Sequence, residues 1–328
     1  MTAKRKKPAR LSHLLAVLIA SALPACSMPP SAGVLHLTRV ADRTPWRFGQ
    51  VPGVTLTTEH YCIHTTTANE TMLRHLPGFM ENAYVNCSSL TGLSAPATGT
   101  AMVIYLLGDR AQWAAMTRKV TGDRSELYLS IQNGGFTDRG VCVFWDMRNF
   151  ATFVLAAHEG MHQFLYHRLR QNFPAWVEEG LAVSAEGFVM DAHAVRFDPQ
   201  RNPLRLARLR SLISNGRWMK LQRLLATDAG DHIAAGSDEG GLTYYGQLWA
   251  LMSYIRSVPR YRQGLERMVA DAAGGTFRST LNVPARMGRG REYSRAVAIP
   301  AFRHYIEDDL ASFEKAFAAY ARKLAKLP

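Results

Sequence analysis

Two histidines and a glutamate in the middle of the chain have the types and spacing of a metal site. They lie in the segment His158-Glu159-Gly160-Met161-His162. Histidines four positions apart in a helix project from the same face, close enough to bind one metal ion. A glutamate beside such a pair is suited to act as a general base. The alternative interpretation is a pair of structural histidines that donate hydrogen bonds to backbone carbonyls.

Glu179 is the predicted third ligand. Sixteen residues separate it from His162, which suits delivery by a second helix packed against the first. Catalytic zinc sites take three protein ligands and keep one position for water, and two histidines with one glutamate are a known set. Glu178 is the competing candidate. Burying two adjacent carboxylates is costly, so one of the two is expected to face solvent.

These residue types predict metal-assisted hydrolysis. A zinc ion held by His158, His162 and Glu179 would lower the pKa of its bound water to about 7. Glu159 would accept a proton from that water and later pass it to the leaving amine.

The two segments are similar to those of the gluzincin metallopeptidases. In that family the residue before the glycine of a Trp-x-x-Glu-Gly-x-Ala stretch is the third zinc ligand, and here this stretch begins at Trp176. The resemblance therefore implies Glu179 as the ligand and Glu178 as its neighbour. The segment from Tyr244 to Leu251 is similar to the tyrosine-bearing helix of the family, which implies Tyr245, with Tyr244 second, as a hydrogen-bond donor to the oxyanion. The alternative for both tyrosines is packing into the core.

A wider resemblance, over residues 54–325, is to a bacterial branch of exported gluzincin-like proteins. It implies a zinc-dependent, endopeptidase-like hydrolase with one zinc ion and a peptide or protein substrate. No Gly-x-Met-x-Asn-type exopeptidase motif precedes the histidines, so aminopeptidase activity is not expected. The alternative function is a zinc-containing envelope binding or assembly lipoprotein that hydrolyses nothing.

Alternating and helical apolar patterns predict the elements around this site. Strands are expected at 54–64, 101–107 and 141–145, and the last of these is either a sheet edge that binds an extended peptide or an interior strand. Helices are expected at 68–90 (interrupted at Pro77), 109–120, 150–169, from Pro174 onward, 203–214, 218–227, 244–257, 260–272 and 301–325, with glycine-rich loops at 228–241 and 274–300. The predicted fold class is α+β, gluzincin-like: a small mixed sheet packed on the zinc-binding helices, then an all-α C-terminal subdomain.

The N-terminus has the layout of an export signal. Five of the 39 positive residues lie in the first ten positions and precede a short apolar run, which predicts a signal peptide over residues 1–25. The segment before Cys26 resembles a lipobox, which implies lipidation of Cys26 and an outer-membrane lipoprotein facing the periplasm. Cleavage after Ala22 is the alternative and would release a soluble periplasmic or secreted protein. The predicted organisation continues with a tether at 26–50, a sheet-plus-zinc-helix part at 51–200 and a helical part at 201–328.

Composition narrows the remaining possibilities. A chain of 328 residues with 47% hydrophobic and 20% charged residues has an ordinary globular balance, which excludes a disordered or fibrous protein. The formal charge of +13 does not predict nucleic-acid binding in an exported protein. Three cysteines remain after Cys26, and in an oxidising setting they predict one disulfide and one buried thiol. The oligomeric state is not predicted.

Overall fold

The computed structural model describes residues 42–93 and 101–327, except 149, 229, 232–237, 285–286 and 289, together with the backbone of Leu14–Leu15 and Leu35–His36. Cys26, the predicted cleavage sites and most of the predicted tether lie outside these residues. Within the described part, no helix combines the length and the apolar character that crossing a bilayer requires.

The N-terminal half is built on a mixed sheet of six strands. They are β1 (Asp42–Phe48), β2 (Val51–Thr57), β3 (Tyr61–Thr65), β4 (Met102–Leu107), β5 (Gly135–Asp138) and β6 (Val141–Trp145). The spatial order is β5-β6-β4-β3-β2-β1, and the two-residue segment Leu14–Leu15 pairs with β5 as a seventh strand. Strands β3, β4 and β6 are parallel to one another, while the outer pairs are antiparallel.

The sheet corrects two predictions and decides between two alternatives. The single strand expected at 54–64 is a hairpin, because the chain turns at Thr58, whose hydroxyl accepts a hydrogen bond from the Tyr61 N–H at 3.1 Å. Residues 42–48, expected in the tether, form β1 at the edge of the sheet. Strand β6 lies between β4 and β5, so of the two alternatives for 141–145 the interior strand is confirmed and the exposed edge is wrong.

Helices cover both faces of this sheet. They are α1 (Glu70–Thr91), α2 (Arg110–Thr121), α3 (Ser125–Leu129), α4 (Phe150–Arg168) and α5 (Ala175–Ala185), with a 3₁₀ turn at Gly122–Arg124. Along β6, Cys142 and Phe144 join the core formed with α1 and α4, while Val143 and Trp145 join a second cluster with α2. Pro77 does not interrupt α1, which is continuous and capped by the Asn69 side chain. A small sheet of β7 (Phe188–Met190) and β8 (Ala194–Phe197), with Leu35–His36 at its edge, follows α5.

The C-terminal region is helical, as expected. Its helices are α6 (Pro203–Ser214), α7 (Leu221–Ala226), α8 (Asp238–Ser257), α9 (Pro259–Gly274), α10 (Phe277–Thr280), α11 (Arg291–Tyr305) and α12 (Leu310–Ala325). The loop expected at 274–300 contains α10 and most of α11, and the helix expected at 301–325 is two helices. The second of them begins after Asp309, whose carboxylate accepts hydrogen bonds from two backbone N–H groups of its first turn. One hydrophobic core extends from β2 to α12 and surrounds α4 and α5.

The described cysteines form no disulfide, which corrects the expectation of one bridge. Cys62, Cys87 and Cys142 are all free thiols. Cys87 and Cys142 are buried in the main core. Cys62 alternates along β3 with the core residue Ile63 and therefore points to the other face of the sheet.

Candidate metal centre

Helix α4 carries the two histidines into the interior. Strand β6 ends at Trp145, and the carboxylate of Asp146 accepts hydrogen bonds from the Arg148 N–H at 2.9 Å and the Thr152 hydroxyl at 3.3 Å, which fixes the turn into the helix. From 152 to 165 every residue of α4 is buried. Because other elements pack around this part of α4 on all sides, the imidazoles of His158 and His162 lie in the protein core.

Helix α5 brings Glu179 to the histidines from the neighbouring layer. Every residue of α5 is buried, because the helix packs between α4 and α8. The glycines in both motifs permit this packing. A Cβ atom at Gly160 would lie 2.9 Å from Met80 Cε of α1, and one at Gly180 would lie 2.6 Å from Met252 Cε of α8. The two glycines therefore allow α4 to pack closely against α1, and α5 against α8.

Three donor atoms converge as the sequence predicts. The Nε2 atoms of His158 and His162 are 3.1 Å apart, and Oε2 of Glu179 lies 3.4 Å from the first and 3.6 Å from the second. A tetrahedral zinc ion with bonds of about 2.0–2.2 Å holds its donor atoms about 3.3–3.5 Å apart. Oε2 of Glu179 is buried and has no hydrogen-bond partner among the described residues. The spacing and the donor set therefore fit a zinc ion.

A second group of potential ligands does not have this geometry. Glu59, His60 and Glu81 lie together at the turn before β3. Nδ1 of His60 is only 2.7 Å from Oε2 of Glu81, and the His60 backbone N–H donates to the other oxygen at 2.8 Å. These are hydrogen-bond distances, shorter than the separation of two ligands on one ion. This group is a hydrogen-bonded anchor between the turn and α1.

Buried charge at the three-donor site also calls for a cation. The carboxylates of Glu159, Glu179 and Glu186 are buried there, while Arg205 is the buried cationic side chain beside them. Unbalanced charge in the core is expensive, so an excess of carboxylates requires further positive charge. Burial opposes a charged His158, but its contacts with the carboxylates of Glu179 and Glu186 outweigh burial and raise the pKa of His158 to about 9, so a proton on His158 supplies part of this charge when no ion is bound.

Glu186 orients the first histidine, a role that sequence reasoning missed. Its Oε1 accepts a hydrogen bond from Nδ1 of His158 at 2.6 Å, which leaves Nε2 directed at the other donors. Arg205 binds the same carboxylate through two nitrogens at 2.6 and 2.7 Å, and Asn202 donates to it at 3.0 Å. A carboxylate bound to the outer nitrogen of a ligating histidine fixes its tautomer and ring orientation. The one available signal was Asn202 before Pro203, which marks the start of α6 but not this contact.

The structure distinguishes the two tyrosines. The Tyr244 hydroxyl donates to the Thr227 carbonyl at 3.0 Å. The Tyr245 ring lies 6.0 Å from the His158 ring, and its buried hydroxyl has no hydrogen-bond partner in the described part of the chain. Burial raises the pKa of Tyr245 well above its ordinary value, so the phenol keeps its proton as a donor. Of the two tyrosines, Tyr245 is therefore the candidate donor, because its hydroxyl is not committed to a backbone carbonyl.

Glu178 corrects the expectation that one of the two adjacent glutamates faces solvent. Glu178 and Glu179 are 4% and 2% exposed, respectively. Because α5 is enclosed on every side, neither carboxylate can reach the surface. Glu179, which approaches both imidazoles, is the ligand candidate.

Comparison with known proteins locates this site within a family match. Residues 151–273 match the model of a family described as a protein of unknown function, DUF1570. The matched span runs from α4 into α9 and includes both histidines, Glu179 and the two tyrosines. No curated protein and no solved structure matches the chain. The matched description names no activity, so the function must be argued from the site.

Proposed function

We propose that this protein is a zinc-dependent peptide-bond hydrolase of the gluzincin type, endopeptidase-like in action. The observation that carries the proposal is the convergence of His158, His162 and Glu179, with donor atoms 3.1–3.6 Å apart, beside a buried Glu159. A zinc ion bound by these three side chains would activate a water molecule at neutral pH and polarise the carbonyl to be cleaved.

The remaining roles belong to residues of the chain. Glu159 accepts a proton from the attacking water and returns it to the leaving amine, a general-base role worth typically about 10²–10⁴-fold in rate. Tyr245 donates its hydroxyl hydrogen to the oxyanion that develops on the substrate carbonyl. Glu186 holds His158 in the orientation that ligation requires.

The site's location in the cell is also a proposal. We propose that the protein is exported and, through lipidation of Cys26, held at the outer membrane on its periplasmic side. This rests on the basic and apolar N-terminal pattern and the lipobox-like segment. Metabolic labelling with a fatty acid, compared between the parent and a Cys26→Ser variant, tests it.

A catalytically silent zinc protein is the second candidate function, and the closure of the site favours it. His158 and Tyr245 are 0% and 2% exposed, so a substrate must displace packed side chains to reach them. Such a protein would use zinc to stabilise its fold and would bind an envelope partner without hydrolysis.

One set of measurements decides between the two. We expect about one zinc per chain by elemental analysis, and cleavage of members of a peptide library that is abolished by unfolding and refolding with a chelator and restored by refolding with zinc. Glu159→Gln is the matched control, because it removes the base while leaving the three ligands intact. A variant that cleaves every peptide as fast as the parent would contradict the proposal, and zinc binding without any cleavage would favour the silent protein.

A further inference from the structure

A threonine on the edge of the six-stranded sheet contacts the proposed general base. Thr137 lies in β5 and is 4% exposed. Its Oγ1 is 2.8 Å from Oε2 of Glu159 and 3.0 Å from the backbone oxygen of the same residue. A hydroxyl has a single hydrogen to donate, so one of these two contacts takes it.

The neighbouring Cys142 offers the Glu159 backbone oxygen a second hydrogen-bond donor. Its Sγ lies 3.4 Å from the Glu159 backbone oxygen and 3.2 Å from Oγ1 of Thr137. Burial raises the pKa of Cys142 well above its ordinary value, so the thiol keeps a hydrogen that it can donate to this carbonyl or to Oγ1 of Thr137. The shorter contact, 2.8 Å against 3.0 Å, directs the Thr137 hydrogen to the carboxylate, and a carboxylate in the ionised form that the proposed base role requires is also the stronger acceptor.

We infer that Thr137 is a positioning residue for the hydrolysis proposed above, on which this inference rests. Its hydroxyl fixes the Glu159 carboxylate by binding Oε2, so that Oε1 is the oxygen that exchanges the proton with water. A glutamate side chain has several rotatable bonds, and a general base must lie within hydrogen-bond distance of the proton that it accepts. Thr137 itself does not touch the reacting atoms.

Kinetics of Thr137→Val and Thr137→Ser test the role. Valine has the shape of threonine without the hydroxyl, whereas serine keeps it. In the zinc-loaded protein we expect Thr137→Val to lower kcat by about 10–100-fold, as loss of an outer partner commonly does, with KM within about twofold. Zinc content should be unchanged, and Thr137→Ser should recover most of kcat. A Thr137→Val enzyme with parental kcat, or a serine variant as impaired as the valine variant, overturns the inference.

A second measurement needs neither zinc nor turnover. Melting temperatures of the metal-free parent, Thr137→Val, Glu159→Leu and the double variant form a cycle. If the two side chains are bonded, the double variant loses less than the sum of the single losses, by at least about 2 °C. Additive losses overturn the Thr137 assignment in an active or an inactive protein alike. A parent that binds zinc and cleaves nothing overturns the proposed function instead.

Discussion

Replacing Glu186 by glutamine is expected to weaken both the fold and the metal site, by two mechanisms that can be separated. Glu186 is fully buried and accepts four hydrogen bonds, one from His158, two from Arg205 and one from Asn202. Glutamine keeps the shape of the side chain but removes the charge and one acceptor. The buried guanidinium of Arg205 then loses its ionic partner, and His158 loses the carboxylate that orients it.

The structure gives the size of both effects. Arg205 and His158 lower the pKa of Glu186 from 4.5 to about 2 against the opposing effect of burial. A lowering of this size corresponds to about 3 kcal/mol of stabilisation of the carboxylate. It agrees with the roughly 3–5 kcal/mol lost when one partner of a buried ion pair is removed. Loss of a histidine's outer partner lowers metal affinity by about 10–100-fold.

Two further variants separate the effects. Arg205→Met leaves the contact between His158 and Glu186 intact, so we expect a loss of stability with parental zinc affinity. The double variant Glu186→Gln/Arg205→Met removes both charges, so stability should largely return. Its zinc affinity should stay low, because His158 still lacks its carboxylate.

The assays are urea unfolding of the metal-free proteins and zinc competition against a chromophoric chelator. The reasoning would be refuted if Glu186→Gln bound zinc within about twofold of the parent, or if adding Arg205→Met restored zinc affinity along with stability.

Three other predictions follow from the same structure. Tyr245→Phe should lower kcat by about 10²–10³-fold at unchanged zinc content, while Tyr244→Phe, whose hydroxyl binds a backbone carbonyl, should change it much less in peptide assays. Gly264→Ala should lower the free energy of unfolding by about 1–3 kcal/mol or more in chemical denaturation, because the added Cβ would lie 1.8 Å from a backbone oxygen of α11. Gly274→Ala is the control, because its Cβ would meet nothing within 4 Å. Hydrogen bonds outweigh burial and lower the pKa of Glu81 below 4.5. The stability advantage of the parent over Glu81→Gln should therefore be full above pH 4.5 and shrink as the pH falls further. Thermal melts at a series of pH values measure this trend.

The convergence of the three candidate ligands could be predicted because their geometry is local. The two histidines are set by the period of one helix, and Glu179 by the length of one turn between two packed helices. Glu186, Arg205 and Thr137 were missed for the opposite reason. Each contacts the site through a tertiary hydrogen bond whose two residues are 19–28 positions apart in the sequence. The periodicity of a single helix or strand does not predict contacts between residues so far apart.

The elements that were misjudged have weak patterns for identifiable reasons. Strand β1 is mostly exposed and contains Pro45, so its seven residues show no alternation of buried and exposed side chains. Helix α11 begins in an arginine- and glycine-rich stretch, but its apolar residues from Tyr293 to Tyr305 face the core at helical intervals. Arg291, the first residue of α11, binds Asp228 through two nitrogens at 2.8 Å. Charged residues that suggested a loop therefore connect the start of α11 to the segment after α7.

The enclosure of the three donors has a consequence for how the proposed metal would be acquired. His158, His162 and Glu179 are at most 3% exposed, and the helices around them belong to one continuous core. An ion can therefore enter or leave only when that packing opens. The ion would bind while the chain folds, and its exchange from the folded protein would be slow. Any metal in a purified sample would then report which ions were present while the chain folded, so refolding with a single defined ion is the way to prepare a uniform sample for testing the proposed activity.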